Sequence, residues 1–113
     1  MKNIIEALNN LKTGEHYFSN NGRVIALDIS QVLIDEQPRT QVQLSMSRVG
    51  VEGERIAIAQ QGALGANVRN AVEGLGWEMR NIVKEYARQT FIRENRLYAL
   101  PEGNTVSAQK RAS

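Results

Sequence analysis

Cysteine is absent from this 113-residue chain, so neither a disulfide framework nor a thiolate metal site can be built. The absence fits a reducing compartment, and the expected location is cytoplasmic. Histidine occurs once, at position 16, which excludes a two-histidine metal site and a Ser-His-Asp set with a choice of base. His16 is expected on the surface, in a loop or at a helix end. No apolar run approaches the roughly 18 residues of a membrane span. Residues 1–14 also lack an apolar stretch followed by a small-residue cleavage site, so neither a membrane nor an export route is expected.

Catalytic constellations are missing as well. Asp28, Asp35 and Glu36 come nearest to a carboxylate cluster, but they fall on the polar phase of a strand and in a loop beside Pro38, where solvated charge is the plainer reading. The glycines at 62 and 65 have neither dinucleotide-binding spacing nor the lysine of a Walker loop. With no nucleophile–base pair and no metal set, the chain is expected to have no catalytic residues, metal or cofactor, and not to be an enzyme.

What is present is an ordinary globular composition, 42% apolar and 23% charged, which argues against disorder. The length allows one hydrophobic core. The net charge of +2 is unevenly placed, with most of the excess base in residues 63–113, the likelier side for an anionic partner. Ile4, Ile5, Leu8 and Leu11 recur at helical spacing up to Gly14 and predict a short amphipathic helix. Residues 19–22 carry turn chemistry, and a strand follows over 23–34, where Ile25, Leu27 and Ile29 alternate with polar or small residues. The alternation changes phase near Gln31, which predicts a bulge or turn, and 35–39 reads as a loop. Val42, Leu44 and Met46 alternate again, then Ile56 and Ile58 after a glycine turn, as a hairpin.

A junction over 60–67 leads into a final helix predicted for 64–98, with Asn67 as a possible N-cap and Gly74 and Gly76 as a possible kink or break. The fold class expected is α+β: a short N-terminal helix, an antiparallel sheet of about three strands, and a long C-terminal helix packed on it. Residues 1–98 form a single domain in this reading, and 99–113 a polar C-terminal tail. The element order resembles that of the double-stranded RNA-binding domain. That family's lysine-rich start to the last helix is replaced by residues 63–67, with Arg69 the one cation nearby, so its phosphate-clamping positions have no counterpart. The small, cysteine-free build is also similar to that of many phage accessory proteins, some of which sequester nucleotide signals.

The predicted last helix has two faces. Val68, Val72, Leu75, Met79, Ile82 and Tyr86 advance by threes and fours and form the core stripe. Trp77, Asn81, Lys84, Arg88, Phe91, Asn95 and Tyr98 advance by fours and threes on nearly the opposite side, where a surface helix ordinarily carries charge alone. Leaving the large aromatics in water forgoes about 1.5–3 kcal/mol for each. Two readings follow. In the first, the face holds an anionic ligand, nucleotide or nucleic acid, through aromatic stacking, Lys84 and Arg88 for phosphate, and Asn81 and Asn95 for base edges. In the second, it packs on a protein surface, that of a second copy or of a host protein. The first is the preferred expectation, a non-enzymatic homo-oligomeric binding protein, and the second makes the chain a protein-interaction or structural module.

Overall fold

The computed structural model describes residues 2–99, with side-chain surroundings for 4–94. The fold is α+β, as the periodicities imply, with four strands in the sheet and the last helical region in two pieces. Helix α1 spans Lys2–Asn9, followed by strands β1 (Gly14–Asn20), β2 (Arg23–Ile34), β3 (Gln37–Val49) and β4 (Arg55–Gly65), then α2 (Val68–Glu73) and α3 (Trp77–Ala99). The strands form an antiparallel meander in sequence order, so β1 and β4 are its edges. Three helices cover one face. From residue 100 onward the tail lies outside the described residues.

Strand β1 is the element that the sequence reading lacks. It pairs with β2 from Gly14 opposite Ile29 to Asn20 opposite Arg23. Gly14, expected to cap the helix, opens this strand with φ +124. The Asn21–Gly22 turn has φ of 52° and 76°, the two left-handed residues that a type I′ hairpin requires. β1 is hard to see because its core-facing residues are His16 and Phe18, a polar and an aromatic side chain in a strand otherwise of Glu, Tyr and Ser. His16 is correspondingly not a loose surface residue. Its Nε2 lies 2.7 Å from the Lys12 carbonyl and so must donate, leaving Nδ1 to accept from the Tyr86 hydroxyl at 2.9 Å.

The expected irregularity at Gln31 does not occur. β2 pairs with β3 in unbroken register from Arg23–Arg48 to Ile34–Gln37, closed by a second turn at Asp35 and Glu36, also with positive φ. The apolar phase changes because the hairpin outruns the helical layer. Leu33 is on the core phase yet 74% exposed, since no element covers that end. Pro38 is tolerated because β4 reaches only to Thr40, leaving β3 without an outer neighbour at position 38. The bulge is elsewhere: Met46 faces Ala59 and Ser47 faces Ala57, so Ile58 is the extra residue on β4.

The segment 60–65, expected as a junction, continues β4. Its small residues let α2 sit close. A Cβ on Gly65 would lie 2.4 Å from the Ala71 backbone nitrogen, and one on Gly74 3.1 Å from the Ala63 side chain. Asn67 caps α2, accepting from the Asn70 amide at 2.9 Å. The chain then breaks at Gly74–Gly76, where the Gly76 amide donates to Gln61 Oε1 at 2.7 Å and fixes the start of α3 beside β4. Ile25, Leu27, Ile29, Val42, Leu44 and Met46 of the sheet meet Leu8, Val68, Val72, Leu75, Met79, Ile82 and Val83 of the helical layer in one core. α3 ends its contact with the sheet at β1, where Tyr86 stacks on Phe18 with ring centroids 4.0 Å apart and planes 8° from parallel. Among the described residues no helix is long and apolar enough to cross a membrane.

Candidate functional site

The seven positions of the second helical face do not form one continuous stripe. Trp77 is the first residue of α3 and is 72% exposed. Asn81, one turn on, is also exposed. Lys84 is half-buried, with Nζ 3.2 Å from Glu73 Oε2 of α2, and Arg80 reaches the same carboxylate at 3.8 Å. Arg88 makes a two-pronged contact within its own helix: Nη2 lies 2.6 Å from Glu85 Oε2 and Nε 3.2 Å from Oε1. The Arg88 bond holds the Glu85 carboxyl below the ordinary glutamate value, with Gln89 assisting, and the same bond raises the guanidinium. Phe91 turns toward the core and packs against it. Asn95 and Tyr98 belong to α3, but their side chains lie outside the described residues.

The sequence left open whether Lys84 and Arg88 meet a phosphate or a carboxylate, and both are seated on carboxylates. The arrangement that remains accessible is Trp77 and the strand beneath it. The bond from the Gly76 amide to Gln61 ties the backbone just before Trp77 to β4. β4 is an edge strand of 11 residues with one charge, Arg55, and no proline, and most of it is exposed on both faces. Among the described residues nothing pairs with its outer edge, a row of backbone N–H and C=O groups. Edge strands are ordinarily blunted by charge, proline, brevity or a covering element, because such a row pairs readily with another strand. β4 carries Arg55 at its start and a bulge at Ile58, itself 42% exposed, but neither device reaches residues 59–65.

The opposite edge differs. β1 has seven residues, carries Glu15, and is flanked by Glu85, Gln89 and Arg93 of α3 across a polar groove of about 420 Å³. Sequence reasoning found Trp77 through its helical spacing but missed the edge, because a strand's neighbours cannot be counted from its own residues. The usable signal was the near-absence of charge over 56–65. Comparison with protein families, with curated proteins and with solved structures gives no match for this chain.

Proposed function

We propose that the protein is a non-enzymatic assembly module of the cytoplasm that forms a homodimer by adding β4 to β4 of a second copy, with Trp77 covering the join. The observation that carries this reading is the long edge strand, uncharged beyond Arg55 and paired on its outer side with no described residue, with an exposed tryptophan following the Gly76–Gln61 bond. Full-length antiparallel pairing of residues 55–65 with themselves puts the two-fold axis at Gln60. Arg55 then faces Gly65 of the partner, so the one charge on the strand never meets its own copy. Ile56 faces Leu64, and Ile58 faces Gly62. Because the Gly76 amide is bonded to Gln61, one residue from the axis, the pairing brings the start of both α3 helices near the join, where two exposed tryptophans can leave water.

Capture of a nucleotide or nucleic acid by the α3 face has less support, since the two cations it depends on already have carboxylate partners. Light scattering tests the preferred reading. The wild type has a mass twice the 12.6 kDa chain at micromolar concentration, while Trp77→Ala combined with Ile58→Lys is a folded monomer. Both sites are exposed, so the fold does not depend on them. A monomeric wild type, or a dimer indifferent to these changes, contradicts the proposal.

A further inference from the structure

The face of the sheet that carries no helix holds a trough. Two adjoining hollows of about 420 and 180 Å³ share Ala26, Ser45 and Gln60, and together they run from β1 to β4. The floor is made of small side chains on β2 and β3, whereas the rims carry long ones. On the β1 side stand Glu15, Tyr17 and Asp28. On the β4 side stands Arg55.

The rims are charged in opposite senses, and their charges are not satisfied within the sheet. Glu15 and Asp28 are direct cross-strand partners, and like charges directly opposite each other are unfavourable unless a cation lies between them. Among the described residues no ion pair involves either of them or Arg55. Tyr17 is 62% exposed and donates to Glu15 Oε1 at 2.9 Å, so its ring stands beside the two carboxylates. An aromatic face next to paired carboxylates is an ammonium site. Arg55, with a planar fork of donors, is suited to a carboxylate or other oxyanion. β1 and β4 are three strand spacings apart, about 14 Å, with Tyr17 on one rim, Arg55 on the other and Ala26 and Ser45 between them.

We propose that this trough binds an elongated zwitterionic small molecule, its ammonium end held by Tyr17, Glu15 and Asp28 and its carboxylate end by Arg55, with an apolar middle over Ala26 and Ser45. A simple cation leaves Arg55 unmatched. A simple anion, phosphates included, meets two carboxylates. The site uses side chains on the open face of β4 and leaves its backbone edge free, so it does not depend on the dimer.

The test uses ε-aminocaproate, with n-hexylamine and caproate as single-charge controls, followed by the backbone amide shifts of Ala26 and Ser45. ε-Aminocaproate is expected to shift these amides saturably at millimolar concentration, and each control to bind about tenfold more weakly or worse. Arg55→Gln and Asp28→Asn, checked for unchanged circular dichroism, are each expected to weaken binding about tenfold. Trp77→Ala is expected to leave it unchanged even where it dissociates the dimer, which separates failure of this site from failure of the assembly. Absence of saturable shifts, equal binding of a single-charge control, or full binding by both trough variants overturns the proposal.

Discussion

At the scale of single residues, glycine and the charged pairs do different work. Gly65 is held against α2 so closely that no side chain fits, with the Ala71 nitrogen 2.4 Å from where its Cβ would lie, whereas Gly62 on the same strand has an ordinary 3.4 Å contact to the Val42 carbonyl. Gly65→Ala is expected to destabilise the fold by about 1–3 kcal/mol in denaturant unfolding, as overpacking does, and Gly62→Ala by less. Equal effects contradict the close seating of α2. The Glu85–Arg88 bond is exposed, so it adds little stability, but it has a readable sign. A carboxyl lowered in the folded state contributes stability above the unfolded glutamate value, and that contribution is lost as pH falls through the lowered folded value. The Glu85 carboxyl carbon is expected to titrate below about 4.3 and to move up in Arg88→Ala. A midpoint unmoved by that change contradicts the pairing. Trp77 was legible as a residue that burial in the monomer does not explain. His16 was not, because its role depends on Tyr86, seventy positions away.

At the scale of elements, periodicity identified every segment whose partners are regular and missed those whose partners are not. The core stripe through Val68, Val72, Leu75, Met79 and Ile82 was legible because helical spacing survives the break at Gly74–Gly76. β1 was not, since a strand with His16 and Phe18 inward has no aliphatic alternation. Residues 60–65 were read as a junction because two glutamines and two glycines give no hydrophobic alternation, although the smallness of Ala63 and Gly65 is what lets α2 approach. The outer half of β2 was assigned a bulge when it simply leaves the covered part of the sheet. That distinction has a measurable consequence. Leu44, fully buried at mid-strand, should cost about 2–5 kcal/mol when changed to alanine. Leu33, on the same face phase but beyond the helices, should cost within about 0.5 kcal/mol. A large loss at Leu33 in denaturant unfolding contradicts this account of the hairpin.

At the scale of the whole molecule, four strands and three helices make a two-layer fold with one covered face, one open face and two unlike edges. The α+β class was legible in the order of periodicities. The surfaces were not, because which strand ends a sheet, and which face the helices choose, are properties of the assembled chain. β1 is short and flanked by α3, and β4 is longer, uncharged beyond Arg55 and uncovered among the described residues, so the two edges differ in what they offer for pairing. Under the proposed β4–β4 pairing, assembly would close as a pair of chains rather than extend as a filament.

The register of that pair is the central claim, and the absence of native cysteine makes it directly measurable. Gln60→Cys places a single thiol of each chain at the two-fold axis, while Arg55→Cys places it opposite the partner's Gly65, far along the strand from its own copy. With a short thiol-specific cross-linker at micromolar protein, Gln60→Cys is expected to give a covalent dimer and Arg55→Cys to remain a single chain. No cross-link at position 60, or equal cross-linking at both positions, would show that the chains do not meet through β4 in this register.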